Sequence, residues 1–162
     1  MSKSVWMIKV WIVVLANGLL LLGFPESGIA QHVSMDVDPI REYEVALELF
    51  QKQKYGQAQE RFERALSHPR SLPSIQQENA EYYNASAALE LFNNDAEFLM
   101  NKFIEEHPEH PMVNMAQFEM AKYYFTKKRF RSVLDQLELV DAQDLDQKYL
   151  EEYYFKKGYS NF

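Results

Sequence analysis

Apolar residues recur at helical spacing through most of the chain. In residues 50–69, "FQKQKYGQAQERFERALSHP", the residues Tyr55, Ala58, Phe62 and Ala65 lie three, four and three positions apart, and most residues between them are polar. This spacing places the four side chains along one face of an α-helix. Because bulky and small residues alternate on that face, the pattern predicts a helix that packs closely against a second helix.

The same pattern returns later in the chain without a gap. The stretch 116–140, "AQFEMAKYYFTKKRFRSVLDQLELV", aligns with 41–65, "REYEVALELFQKQKYGQAQERFERA", so that Ala121 falls on Ala46. A middle copy, "AEYYNASAALELFNNDAEFLMNKFIEEHP", supplies Ala85 at this small position, with a turn at 93–95 that is shorter by at least one residue. The chain ends with "YYFKKGYSNF", which begins a fourth copy with Gly158 there. The sequence thus predicts helix pairs that repeat with a period of roughly 37 residues.

Candidate capping residues agree with these helices. Asp38 followed by Pro39 is typical of a helix start, with an acidic cap and a proline at the first helical position. Ser74 and Gln77 have the spacing of a capping box, and Asp95 is expected to cap the second helix of the middle pair. These residues predict where three of the helices begin.

The repeat resembles the tetratricopeptide repeat, a helix–turn–helix unit with a usual period of about 34 residues. The resemblance rests on the small residues late in the first helix of each pair and on the aromatic residues at the turn, and it covers residues 38–162. It implies an all-α fold, an α–α superhelix of antiparallel helix pairs with about three and a half repeats. The repeats are expected at 38–72, 73–109, 110–143 and, truncated, 144–162.

Two short sequence segments resemble a particular group of these repeat proteins. "AEYY…DAE…F…HP" and "EYYFKKGY" are similar to sequences in the amino-terminal part of long periplasmic tetratricopeptide-repeat proteins of Bacteroidetes-type bacteria. Those proteins continue for many more repeats. The resemblance therefore implies a chain that extends beyond residue 162, and only such an extension would leave room for an enzyme domain.

Residues 1–30 differ from the rest of the chain. Lys3 and Lys9 precede an apolar run from Val10 to Phe24, and the segment ends in the small-x-small order that closes at Ala30. This order predicts a secretory signal-peptide helix over residues 1–30, with cleavage after Ala30. The run is about 15 residues long, whereas a bilayer span needs roughly 20.

An uncleaved anchor is the alternative. Residues 5–24 would form a longer apolar helix if the Lys9 side chain snorkels to the membrane surface. Residues 31–37 carry neither helical period nor caps, and they are interpreted as a flexible leader. The sequence therefore predicts export to the periplasm or outer membrane, or anchoring in the inner membrane if the first segment is retained.

Composition excludes several classes of protein. The absence of cysteine excludes a disulfide scaffold, a thiol enzyme and a lipoprotein anchored through a cysteine. The formal net charge of −7 disfavours nucleic acid and anionic membrane surfaces as partners. We therefore expect membrane contact only through the amino-terminal segment.

Candidate catalytic and metal-binding residues are sparse. His107 and His110 are three residues apart, a spacing that can hold a metal, but prolines on both sides favour an inter-repeat turn. The acidic stretch from Asp141, "DAQDLDQKYLEE", resembles a calcium loop but has Asp146 where such a loop needs glycine. We therefore predict no enzymatic activity, no cofactor and no metal site.

The remaining candidate is a binding surface. In tetratricopeptide repeats the first helix of each pair lines a concave groove, so the resemblance implies that six residues line it here: Tyr43, Leu47, Phe118, Lys122, Phe155 and Tyr159. Such a groove binds an extended peptide or a partner helix. The expected function is a protein–protein interaction scaffold of the bacterial cell envelope that binds other envelope proteins. The alternative is a membrane-anchored sensor or a coordinator of cell division or envelope assembly.

Overall fold

A computed structural model describes residues 38–68 and 70–162. This part of the chain contains helices and no strand, which confirms the predicted all-α class. The predicted signal segment, 1–30, and the leader, 31–37, lie outside the described residues. The helices are α1 (Pro39–Gln51), α2 (Tyr55–Ser67), α3 (Ser74–Leu91), α4 (Ala96–Glu106), α5 (Val113–Thr126), α6 (Phe130–Leu139) and α7 (Gln147–Ser160), with a short 3₁₀ turn, Ala142–Asp144, before α7.

Two kinds of contact organise the helices. Each helix packs against the next one in the chain, and the odd-numbered helices also pack against one another in succession, α1 on α3, α3 on α5 and α5 on α7. Small residues allow this approach, because Ala46, Ala85 and Ala121 are almost completely buried where the helices meet. The odd-numbered helices therefore form one continuous layer, and α2, α4 and α6 lie against it.

The turns between α1 and α2, α3 and α4, and α5 and α6 share one geometry. In each, a residue other than glycine adopts a left-handed conformation: Gln53, Phe92 and Lys128, with φ of 57°, 55° and 57°. The next residue then donates its backbone N–H to a carbonyl five residues back, as in the bond from Lys54 to Leu49. This pattern is the Schellman motif that ends many helices.

The capping predictions have mixed outcomes. Asp38 caps α1, since its side chain accepts a hydrogen bond from the Ile40 N–H at 3.2 Å. The capping box is wrong, because Ser74 is already the first helical residue and its hydroxyl donates to Glu78 instead. The Asp95 cap is also wrong, since its backbone is in the right-handed helical region while a capping residue needs an extended conformation.

Aromatic side chains join two hydrophobic clusters into one layer. The first cluster surrounds Phe62, between α1, α2 and α3, and the second surrounds Phe103 and Phe118, farther along the chain. Tyr83 of α3 packs against both clusters, and its ring stacks on Phe62 with centroids 5.9 Å apart. At the other end, the Tyr153 hydroxyl donates a hydrogen bond to the Leu137 carbonyl and so ties α7 to α6.

The length and hydropathy of each helix indicate whether it could span a membrane. None of those in the described part of the chain is both long enough and apolar enough to serve as a bilayer span.

Candidate partner surface

The six predicted groove residues fall on three odd-numbered helices, but they differ in burial. Tyr43 and Phe118 belong to the core and leave 7% and 0% of their surface exposed. Leu47 and Lys122 are partly buried, whereas Phe155 and Tyr159 are exposed by 61% and 54%. The side chains with the most surface open to a partner are therefore on α7.

Phe118 links two of these helices from within the core. Its ring lies 5.8 Å from Tyr149 and 6.5 Å from Tyr153, both on α7. The Lys122 ammonium lies 6.0 Å from the centroid of the Phe118 ring, one helical turn away. The Phe118 ring thus makes a cation–π contact with Lys122 and packs α5 against α7.

Charged side chains meet between α3 and α5. The Lys122 ammonium lies 3.9 Å from an oxygen of Glu90, across a cavity of about 70 Å³ that Glu119 also lines. Leu89 and Tyr123 contribute apolar wall to the same cavity. Two carboxylates and one ammonium therefore border a space that is large enough for a small side-chain group or a few water molecules.

Glu119 has an unusual environment for a carboxylate. Its Oε2 atom is buried and has no hydrogen-bond partner within the described residues. Burial raises the pKa of Glu119, while the Ser86 hydroxyl, the Lys122 ammonium and the Tyr82 hydroxyl offset part of this rise. Glu119 therefore has a stronger tendency to stay protonated in this cavity than an exposed glutamate has in water.

The same carboxylates act on Tyr55, at the start of α2. Burial raises the pKa of the Tyr55 hydroxyl, and the charges of Glu90 and Glu119 raise it further. Their combined field is negative, which favours a positively charged group of a partner.

A second feature is an aromatic cluster formed by α5, α6 and α7. Phe125 contacts Phe155 at 6.0 Å and Tyr159 at 5.3 Å, and Tyr159 also contacts Phe130 at 5.5 Å. The Lys156 ammonium sits over the Phe125 ring at 4.1 Å from its centroid. The structure therefore brings Phe155 and Tyr159 together, and Phe125 connects them to the helix that carries Lys122.

Sequence reasoning missed Glu90 and Glu119. Glu119 stands between Phe118 and Met120, and Glu90 stands between Leu89 and Leu91, so each is an acid among apolar residues in a helix. A charge flanked by apolar residues on both sides is the signal that could have identified them. Their proximity depends on the packing of α3 against α5, which no local pattern contains.

The histidine turn and the acidic loop differ in the side chains that they bring together. In the described residues, the convergent group of possible metal ligands is Glu81, Glu106 and His107, whereas His110 is not part of it. The acids from Asp141 onward form no such group in this part of the chain, and the Asp141 carboxylate instead accepts a hydrogen bond from the Gln143 N–H at 2.9 Å. The acidic stretch thus begins with a capped turn.

Comparisons with known proteins add no relative to this description. The chain matches no family model, no curated protein and no solved structure.

Proposed function

We propose that this chain is a tetratricopeptide-type solenoid that acts as a non-enzymatic protein–protein interaction scaffold of the bacterial cell envelope. The observation that carries the proposal is the group of exposed aromatic side chains on α7, where Tyr154, Phe155 and Tyr159 are 61%, 61% and 54% exposed. Large aromatic side chains left in water are a common feature of protein interaction sites.

The repeating contacts support a solenoid. Each odd-numbered helix packs on the next odd-numbered helix, and three of the turns share the same left-handed residue and Schellman bond. Stacked helix pairs of this kind share one core, and their first helices offer an extended surface to a ligand.

The character of the surface suggests the chemistry of the partner. The aromatic cluster on α5 and α7 would bury apolar side chains, and the negative field of Glu90 and Glu119 would favour a basic side chain near Lys122. An extended peptide or a partner helix carrying both kinds of residue would satisfy the two requirements. We propose such a segment of another envelope protein as the ligand.

The proposed location follows from residues 1–30. A basic start, an apolar run and a small-residue end favour export, with the mature protein beginning at Gln31. The alternative is a membrane-anchored sensor or a coordinator of cell division or envelope assembly, in which residues 5–24 are retained. Mass spectrometry of the protein from its host distinguishes the two, because a mass that begins at Gln31 excludes the anchor.

A capture experiment with matched variants tests the scaffold. The purified chain, Tyr159→Ala, Glu90→Lys, which reverses a charge of the proposed negative field on a side chain that is 43% exposed, and the control Arg131→Ala are immobilised and exposed to envelope extract of the host, and bound proteins are quantified by mass spectrometry. Arg131 lies on α6 and its side chain is 93% exposed, so its removal changes a surface outside the odd-numbered layer. We expect a partner that the unmodified chain and Arg131→Ala retain, with recovery at least tenfold lower for the other two.

Circular dichroism shows whether each variant keeps its helix content. Equal recovery of every bound protein by all four chains would contradict a partner site on this surface.

A further inference from the structure

The turn between α4 and α5 brings a histidine and two glutamates together from separate parts of the chain. Glu81 lies in α3, Glu106 is the last residue of α4, and His107 follows it. One ligand atom from each of the three lies within 4.8 Å of the other two. The closest pair is His107 Nε2 and Glu81 Oε2, at 2.7 Å.

Neighbouring groups hold this set in place. The Gln77 side-chain amide donates to Glu81 Oε1 at 3.3 Å, which leaves Oε2 directed to the histidine. The His107 backbone N–H donates to the Phe103 carbonyl at 3.0 Å, and its ring lies 5.5 Å from the Phe103 ring. Outer hydrogen bonds and packing of this kind orient the ligands of known metal sites.

Glu81 differs from the corresponding residue of the first helix pair in the side chain that it contacts. Its counterpart in the first helix pair is Glu42, whose carboxylate is bound by Arg61 at 2.7 Å. The residue that corresponds to Arg61 in the second pair is Leu99, which has no charge. Glu81 therefore shares the carboxylate of Glu42 without an arginine to neutralise it, and its partner is His107 instead.

The surrounding charge favours a dication. Glu78 and Glu109 line the same cleft as Glu106 and His107. Lys102 contributes a positive charge nearby, with its ammonium 3.7 Å from Glu106. Carboxylates outnumber this ammonium, so the cleft attracts a divalent cation.

We propose that Glu81, Glu106 and His107 bind one Zn²⁺ ion. Imidazole and carboxylate are both zinc ligands, at bond lengths of about 2.0 to 2.2 Å, and a tetrahedral site needs ligand atoms roughly 3.3 Å apart. The His107–Glu81 pair, now 2.7 Å apart, must therefore open by about 0.6 Å, and the ion lies between the two ligand atoms. A water molecule completes the coordination. Because imidazole suits Zn²⁺ better than Ca²⁺ or Mg²⁺, the site selects a transition metal.

Such an ion would connect α3 to the turn that begins α5. The proposal is independent of a partner at the surface that carries Lys122 and Tyr159, because none of the three ligands belongs to that surface. A variant that loses Zn²⁺ binding can therefore still be tested for partner binding, and a variant that loses the partner can still be tested for Zn²⁺ binding.

Calorimetric titration of the full chain without an affinity tag tests this site. ZnCl₂ is titrated into the unmodified chain, His107→Gln, Glu81→Gln and the matched control Glu109→Gln, which removes a charge from the same cleft but no ligand. We expect one Zn²⁺ per chain, at least tenfold weaker binding for the two ligand variants, and a less than threefold change for the control. CaCl₂ is expected to bind at least a hundredfold more weakly than ZnCl₂.

Two further measurements keep the test decisive if His107→Gln or Glu81→Gln misfolds. Glu106→Gln changes a side chain that is 50% exposed, so it is expected to fold normally and still lose at least tenfold in Zn²⁺ affinity. Co²⁺ bound to the unmodified chain is expected to show the visible absorption of a four-coordinate site, and this signal should disappear in Glu106→Gln. Absence of Zn²⁺ binding in the titration, or equal binding of Zn²⁺ and Ca²⁺, would reduce the cluster to an ion pair in an acidic cleft and overturn the proposal.

Discussion

The first and third helix pairs use the same aromatic contacts at their turns, and they differ in how the next helix covers them. In the first pair Phe50 contacts Tyr55 at 5.2 Å and Tyr83 of α3 at 5.1 Å. In the third pair Phe125 contacts Phe130 at 5.8 Å and Tyr159 of α7 at 5.3 Å. Each turn is thus closed by a tyrosine from the next odd-numbered helix.

The difference lies in the exposure of that tyrosine. Tyr83 is partly buried and packs against both hydrophobic clusters, whereas Tyr159 is 54% exposed. The same kind of aromatic contact is therefore inside the protein where α1, α2 and α3 meet, and at the surface on α7. Burial, rather than residue type, distinguishes a structural aromatic residue from a candidate binding residue here.

Removal of the central side chain in each pair should have the largest effect. Phe62 is fully buried in the first pair, and Leu137 occupies the corresponding place in the third. Phe62→Ala is expected to lower the free energy of unfolding by about 3 to 5 kcal/mol, and Leu137→Ala by about 2 to 5 kcal/mol, because each leaves a cavity. Urea unfolding followed by circular dichroism measures both values.

Phe155→Ala serves as the exposed aromatic control for this prediction. Since its side chain is 61% exposed, its loss should cost less than about 1 kcal/mol. Phe62→Leu, which introduces the residue of the third pair, should cost much less than Phe62→Ala if the two pairs pack alike. If Phe155→Ala lowered the free energy of unfolding as much as Phe62→Ala, the distinction between buried structural aromatic residues and exposed ones would be wrong.

The sequence predicts the parts of this structure that depend on local spacing. Ala46 and Ala121 are predicted close-packing positions, and both are fully buried. The charged contacts do not follow from the sequence, because Glu81 meets His107 and Lys122 meets Glu90 only after separate helices have packed. The burial of Phe118 differs from the predicted groove position for a similar reason, since a helical stripe does not indicate which neighbouring helix will cover it.

The two helix pairs also differ in the exposure of one glutamate. Glu119 of the third pair has a buried carboxylate oxygen, whereas Glu44, the corresponding residue of the first pair, is exposed. Burial raises the pKa of Glu119 above its ordinary value of 4.5, so the folded chain holds this proton at a pH where the unfolded chain has lost it. The stability that Glu119 contributes is therefore complete below about pH 4.5 and decreases as pH rises through the higher pKa of the folded state.

Glu119→Gln should consequently be more stable than the unmodified chain at pH 7, by about 1 to 2 kcal/mol if Oε2 stays without a partner. The advantage should shrink toward pH 4, where both side chains are neutral. Thermal or urea unfolding at several pH values measures the difference between the two chains, and Glu44→Gln is the exposed control with no pH-dependent gain. A Glu119→Gln advantage that is the same at pH 4 and pH 7 would contradict the effect of burial on this carboxyl group.

The smallest expected effect comes from the left-handed turn residues. Gln53 and Lys128 both have φ of 57°, a conformation that costs roughly 1 to 2 kcal/mol for a residue with a Cβ atom. Gln53→Gly and Lys128→Gly remove this cost but add flexibility to the unfolded chain, so each should raise the free energy of unfolding by about 0.5 to 1 kcal/mol. Equal gains at the two turns, measured by urea unfolding, are expected because the turn geometry repeats.

Phe92 occupies the corresponding position in the middle pair and provides the contrast. Its φ is 55°, but its ring stacks on Tyr123 at 5.7 Å and lies beneath the Lys127 ammonium at 5.9 Å. Phe92→Gly relieves the same backbone strain and loses these contacts, which are worth about 0.5 to 1.5 kcal/mol for the ring pair. The substitution should therefore give little or no gain, and a gain equal to that of Gln53→Gly would mean that the Phe92 ring contributes nothing to the contact between α3 and α5.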